Sequence, residues 1–284
     1  MDAVSAATSE RLSSAAAEQG AQLTPEVAAV IGDPVRADVT EAQPVVSDSG
    51  NGQSPFFLAF LVNLSGLIGG AAIYFLVAGA AERLEAQGLR PSSTGLWTTR
   101  LLLGLVYGAL VAGAESWVAF GVLGVEHEAS TAQVYLFLVL ATTVAASVTM
   151  LFAVAFGAAG IGISAALNVI LGLVSSGGLA PLEALPPFYQ AYADWLPLRS
   201  VIDGLRSLLF YDGALEAARL EGGWRDSLWF LGGRSEAAGL EDAVWMLGAL
   251  LVSAAALEYL ISLVRDLFVR RERPKTGKVA KAAG

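Results

Sequence analysis

Residues 173–213, LVSSGGLAPLEALPPFYQAYADWLPLRSVIDGLRSLLFYDG, follow a long apolar run and decide the predicted fold. The glycine pair Gly177 and Gly178 loosens the backbone at the start of this stretch. Four prolines then remove backbone amide donors: Pro181, Pro186, Pro187 and Pro197. An uninterrupted membrane helix therefore cannot pass through these residues.

Two short helices are predicted within the same stretch. Phe188, Tyr192 and Trp195 are four and three residues apart, which would place three rings on one face, as in an interfacial anchor. After Pro197, apolar residues recur at helical spacing, and three charged residues lie on other faces: Arg199, Asp203 and Arg206. We predict a pair of short helices lying in, or dipping into, one membrane surface.

The composition of the 284-residue chain is typical of an integral membrane protein. Hydrophobic residues make up 55% of the chain, charged residues 15%, and the mean hydropathy is +0.60. The formal net charge of -9 argues against nucleic acid as a partner, because phosphate binding needs clustered basic residues. The chain has no cysteine and a single histidine, His127, so thiolate and imidazole metal clusters are excluded.

Five apolar runs are each predicted to cross the membrane, at about residues 56–81, 101–125, 132–156, 161–174 and 243–264. The longer runs match a hydrocarbon core about 30 Å thick. The fourth run is short, which suits a helix that continues into a re-entrant segment buried against protein. The predicted fold is all-α and polytopic. It has five transmembrane helices, with a re-entrant or interfacial helix pair in an anchor loop, residues 175–241, before the last span.

Basic residues set the predicted orientation. Lysines and arginines follow the fifth span, and the other short loop with several arginines, residues 82–100, lies an even number of crossings away. Both are therefore expected in the cytoplasm. The polar tail, residues 1–54, is then outside, the membrane domain covers 55–269, and the basic tail covers 270–284. Because an acidic tail seldom crosses a membrane without a preceding signal, we expect a first span and an external domain to come before Met1, either in a longer parent polypeptide or in a partner chain.

Two series of short motifs lie at the entrance to the first span and before the last one. The first series is Gly32-Asp-Pro-Val35, Asn51-Gly52 and Ser54-Pro55-Phe56-Phe57. The second is Ser176-Gly-Gly178, Leu185-Pro186, Phe188-Tyr189, Leu196-Pro197 and Asp203-Gly-Leu-Arg206. In order and spacing, over about residues 31–271, they resemble the YhgE/Pip family of phage-infection proteins and the related type-2 ABC exporter permeases.

The resemblance implies six spans, of which the five here correspond to the second to sixth. It also implies a bacterial cytoplasmic membrane protein that exports a hydrophobic or cell-envelope substrate. Two such cores would face each other, with residues 176–211 as the external gate. An ATPase subunit or another chain would supply energy, docking on residues 82–100. The alternative is a non-transporting scaffold or a surface receptor for phage or secretion machinery.

Two acidic residues lie inside apolar runs. A charge in hydrocarbon costs several kcal/mol, so Glu115 and Glu258 could serve a proton relay or contact substrate. The structural alternative bonds Glu115 to serine or threonine of a neighbouring helix. It places Glu258 near the membrane interface, close to Tyr259 and Arg265.

Other polar and small residues are assigned structural roles. Asn63 and Asn168 are expected to bridge helices, and two glycine pairs permit close helix contacts within this chain or with a second copy: Gly66 and Gly70, and Gly104 and Gly108.

Neither catalysis nor a cofactor is predicted from these residues. The candidate nucleophiles Ser147, Ser164 and Ser176 need a base, and His127 lies in a polar turn outside the spans. That turn, Glu126-His127-Glu128, is interpreted as a solvated loop, because three adjacent residues cannot close a tetrahedral cation site. The sequence also contains no glycine-rich loop followed by lysine and serine or threonine, the motif that binds nucleotide phosphates.

Overall fold

The computed structural model of the protein describes residues 52–177, 184–193, 196–212 and 239–272, and every regular element among them is a helix. Seven helices lie in these ranges: α1 Ser54–Ala86, α2 Ser93–Val122, α3 Thr131–Phe156, α4 Ala158–Ser175, α5 Pro187–Ala193, α6 Pro197–Phe210 and α7 Leu240–Glu272. Five of them, α1 to α4 and α7, are long and apolar enough to cross a membrane. The prediction of an all-α polytopic protein with five transmembrane helices is confirmed.

Several predicted features fall outside the described residues. They are most of the amino-terminal tail with its Gly32-Asp-Pro-Val35 motif, Gly178, Pro181, Trp195, residues 213–238 of the anchor loop, and the basic tail from Arg273 onward.

Local capping signals set where the helices start. The side chain of Ser92 accepts a hydrogen bond from the Gly95 amide at 3.0 Å and caps α2. Ser130 and Gln133 form a reciprocal capping box at the start of α3. The cap at Ser92 starts α2 at Ser93, eight residues before the predicted span. Arg100 therefore lies inside a helix rather than in the connecting loop.

The buried core is centred on α3. This helix packs against α1, α2, α4 and α7. Its most apolar part is more completely buried than those of the other four long helices. The short helix α6 packs on α1, α3 and α7. Its apolar stripe is buried at six positions: Leu198, Val201, Ile202, Leu205, Leu208 and Leu209. The pair of short helices thus differs from two helices lying side by side at a surface, because α6 is enclosed by longer helices.

Glycines bring α1 and α2 against α3. A side chain at Gly66 would collide with Ala145, and one at Gly70 would collide with the Ala146 carbonyl and Thr149. Gly108 of α2 gives the same close approach to Thr143. Within the described residues, these close contacts are made inside the chain itself.

Two of the long helices contain a wider, π-helical segment. Residues Trp117–Val122 end α2 in this form, and Ala166–Leu171 interrupt the middle of α4. A π-helical segment inside an α-helix is uncommon and often lies at a functional site. The segment in α4 contacts α5 through the Leu167 carbonyl, and the turn that follows it contacts α6.

Candidate functional site

The helix α5 presents aromatic side chains next to the end of α4. Phe188 is 63% exposed and stacks on Tyr192, with ring centroids 6.3 Å apart. The Tyr192 hydroxyl donates to the Leu167 carbonyl of α4 at 3.3 Å. Burial raises the pKa of the Tyr192 phenol above its ordinary value. The structure thus brings two of the three predicted anchor rings together.

The breaks around α5 have the backbone roles expected of them. Gly177 has a φ of 70°, a left-handed conformation that glycine adopts without strain, two residues after α4 ends. Pro187 is the first residue of α5 and Pro197 the first of α6, positions where a missing amide hydrogen costs no helical bond. Pro186 precedes α5, and its carbonyl accepts from the backbone amide of Tyr189 at 3.0 Å.

The charged residues of α6 lie within the protein rather than on an open face. Arg199 is buried and forms an ion pair with Asp203, one helical turn away, at 3.8 Å. Arg206 is half-buried. A side chain at Gly204 would overlap the Phe137 ring of α3, so glycine lets α6 approach that helix closely.

The carboxyl end of α6 is capped by the acidic turn between α2 and α3. The backbone amides of Glu128 and Ala129 donate to the carbonyls of Leu209 and Leu208, at 3.1 and 3.0 Å. Beside this contact is an open cavity of about 380 Å³, lined by Phe120, Gly124, Val125, Glu126, His127, Glu128 and Leu209. The interpretation of the turn as a solvated loop is therefore incomplete, because the turn also docks on α6.

His127 is held by its own turn. Its Nδ1 atom lies 2.7 Å from the Ala129 carbonyl, and its ring packs edge to face against Phe120. The three serines considered as nucleophiles are elsewhere. Ser164 contacts Thr149 and Asn168, Ser176 donates to the Leu173 carbonyl, and Ser147 is buried. No serine–histidine pair forms among the described residues, so this geometry gives no support to a serine nucleophile activated by histidine.

Glu115 contacts α1 through serine. The Ser65 hydroxyl donates to Glu115 Oε1 at 2.9 Å, and Glu115 is 6% exposed. Tyr107 donates to the Ser65 carbonyl at 2.7 Å, and its ring lies over Gly69. The structural alternative predicted a serine or threonine partner on a neighbouring helix, and the contact with Ser65 is of that kind.

Glu258 has a partner that the sequence did not reveal. Arg100 Nη1 of α2 donates to Glu258 Oε1 of α7 at 2.6 Å, and Glu258 is 0% exposed. Arg265 instead donates to the Val154 carbonyl of α3 at 3.0 Å. That Glu258 lies near the membrane interface stays a prediction. Tyr259 packs against Trp97 of α2.

Further contacts hold α2 to α7 around this ion pair. The Trp97 indole donates to the Ala255 carbonyl at 2.9 Å, and Thr94 shares a hydrogen bond of 3.4 Å with Tyr259. Thr94, Trp97 and Arg100 recur every three residues and lie on one face of α2. The helical period could have indicated this face, had the helix been extended back to the Ser92 cap.

Asparagines connect α1 to α4, as predicted. Asn63 Nδ2 donates to the Asn168 carbonyl at 2.8 Å. The Asn168 side chain donates to the carbonyl and the hydroxyl of Ser164, at 3.1 and 3.2 Å. Ser164 in turn contacts Thr149 of α3 at 3.1 Å. This polar chain crosses three transmembrane helices.

Comparison with known proteins connects this architecture to transport. A family model described as ABC-2 family transporter protein matches residues 3–262. Comparison with curated proteins gives no match. The match includes α1 to α6 and most of α7, and it confirms the predicted resemblance to type-2 ABC permeases.

Proposed function

The chain belongs to the ABC-2 family of transporter proteins, and from that premise we propose that it is the permease of an exporter for a hydrophobic or cell-envelope substrate. The family match over residues 3–262 is the observation that carries the proposal. The five apolar helices agree with a membrane-embedded role. Within this family, the motifs around α1 and α6 favour the YhgE/Pip group.

The proposed external gate is the pair α5 and α6, residues 176–211 with their flanks. α6 is enclosed by α1, α3 and α7, whereas α5 exposes Phe188 and contacts α4 through Tyr192. A rigid inner helix next to a more exposed aromatic one suits a gate that moves beside a fixed core. Two copies of the chain, each contributing one pair, would enclose the substrate path.

Energy would come from a separate ATPase subunit, as is usual for this family. Its proposed docking surface is residues 82–100, which comprise the end of α1, the connection at 87–92 and the start of α2. Gly88 turns the chain there with a φ of 78°, and Leu89 beside it is 56% exposed. Leu89, among charged residues beyond the end of α1, would supply an apolar side chain to that contact.

Co-purification in native membrane particles tests this proposal. The full-length chain should recover a nucleotide-binding subunit, and Leu89→Asp should lose it because a charge enters the apolar contact. Leu123→Asp is the matched control, since Leu123 is 69% exposed in the connection after α2, at the opposite end of that helix. Mass spectrometry of the recovered proteins, with ATP hydrolysis by the complex, is the measurement.

Recovery of the chain alone, or of envelope proteins with no nucleotide dependence, would overturn the exporter proposal. That result would favour the membrane scaffold or surface receptor.

A further inference from the structure

The π-helical segment of α4 is bonded to two other helices at adjacent carbonyls. Leu167 O accepts from the Tyr192 hydroxyl of α5, and Asn168 O accepts from the Asn63 amide of α1. Both acceptors lie in Ala166–Leu171, where the helix departs from α geometry. One bond therefore faces the proposed gate helix, and the other faces the core.

The same segment is also fixed from a third side. Asn168 Nδ2 donates to Ser164, and Ser164 contacts Thr149 of the central helix α3. Thr149 itself donates to the Ala145 carbonyl at 3.0 Å. The segment is thus bonded directly to α1 and α5, and it is linked to α3 through Ser164 in the preceding part of α4.

A change in this segment would reach the gate directly. A π-helical turn holds about one more residue than the matching α-helical turn, so conversion between the two rotates the following residues by about 100°. Those residues are Gly172–Ser175, the last turn of α4. Gly172 faces the side chains of Leu196 and Leu198, where α6 begins.

We propose that residues 166–171 form a hinge in α4 that sets the position of α5, with Asn63 and Tyr192 as the two side chains that lock it. The hinge rests on the proposed function in one respect, because it treats α5 as part of the gate. Loss of either hydrogen bond would allow the segment to convert from a π-helical to an α-helical turn, and α5 would then take a second position.

Distance measurements between spin labels test the hinge without any transport assay. The chain contains no cysteine, so two introduced cysteines carry the labels: Gln190→Cys on α5 and Ala132→Cys near the start of α3. Both positions are exposed. In nanodiscs, the parent should give one narrow main distance and a minor share of a second distance. Asn63→Leu and Tyr192→Phe should each raise the share of a second distance about threefold, equivalent to about 0.6 kcal/mol for an interhelical hydrogen bond in a membrane.

Two matched variants control for the loss of a polar group. Tyr189→Phe removes the other tyrosine hydroxyl of α5, and Ser65→Ala removes a polar side chain of α1 that faces Glu115 instead of α4. Both should keep the parent distribution. Asn63→Ala replaces Asn63→Leu if the larger residue prevents folding, judged by monodisperse elution.

An effect of Tyr192→Phe without any effect of Asn63→Leu would overturn the hinge, since α5 would then depend on its own bond alone. Parent distributions in both variants, or equal changes in the controls, would overturn it as well. None of these outcomes decides whether an ATPase subunit is present, so failure of the hinge and failure of the exporter proposal are distinguishable.

Discussion

The ion pair between Arg100 and Glu258 places two opposite charges inside the helix bundle. Isolated charges of this kind are costly in a membrane, and the bond of 2.6 Å offsets part of that cost. Glu258 Oε2 has no hydrogen-bond partner among the described residues. The pair therefore holds α2 and α7 together while one carboxylate oxygen is left without a donor in that part of the chain.

Removing one partner should destabilise the protein more than removing both. Glu258→Leu leaves Arg100 buried and uncompensated, and we expect a loss of about 3–5 kcal/mol in the free energy of unfolding. The double variant Arg100→Leu with Glu258→Leu should recover most of that loss. Unfolding in detergent, followed by circular dichroism, measures both. A double variant as unstable as Glu258→Leu would contradict this account of the pair.

Single residues also show how far the sequence could be interpreted. The hydroxyl partner of Glu115 could be anticipated, because most of the polar side chains in the apolar runs are those of serine and threonine. The partner of Glu258 could not, since Arg100 is 158 residues away and the helix that carries it starts at a cap that hydropathy does not detect. A charge near the end of an apolar run predicts the end of a membrane span, whereas Arg100 makes a buried contact inside the helix.

Among the helices, close packing at glycines is the feature that fixes α1 and α2 on α3. Gly70 lies under the Ala146 carbonyl, a backbone atom that cannot move aside without distorting α3. Gly79, nine residues further along α1, faces open space. The two positions share a helix and a residue type but differ in their surroundings.

Gly70→Ala should therefore destabilise the protein by about 1–3 kcal/mol, because the added methyl group overpacks the contact. Gly79→Ala should be neutral or stabilising by up to about 1 kcal/mol, since alanine favours helix where nothing obstructs it. Thermal unfolding of both variants in the same detergent gives the comparison. Equal effects at the two glycines would show that helix propensity, not packing, decides the outcome.

At this scale the sequence predicts the elements better than their arrangement. The lengths of the apolar runs predicted the five spans, and the positions of the prolines predicted the two short helices. The sequence did not indicate that α6 would be enclosed on three sides, because an amphipathic stripe is equally suited to lipid and to neighbouring helices. The π-helical segments were not indicated by residue type, and the contact of Asn63 with α4 joins residues 105 positions apart.

For the whole molecule, the orientation follows from the placement of basic residues and remains a prediction. The connection after α1 is expected in the cytoplasm and the turn after α2 outside. Glu85, in the last turn of α1, and Glu126, in the turn after α2, are exposed glutamates at the two ends whose sides are predicted. Because the chain has no cysteine, each can be replaced by the single cysteine of a variant.

A maleimide that cannot cross membranes should label Glu126→Cys in intact cells and label Glu85→Cys after permeabilisation alone. Gel shift of the purified chain measures the labelled fraction. Labelling of Glu85→Cys in intact cells, with Glu126→Cys protected, would reverse the assigned orientation.

The connection between α3 and α4 has a consequence for how the chain enters the bilayer during synthesis. A single residue, Gly157, separates the two helices, and a side chain at Gly160 would strike the Phe152 carbonyl. With so short a connection, the insertion machinery cannot release α3 into lipid well before α4 has been synthesised. We expect α3 and α4 to be released into lipid together as one hairpin. Ser164 and Asn168 would then meet Thr149 during insertion, before either polar side chain has to face hydrocarbon alone.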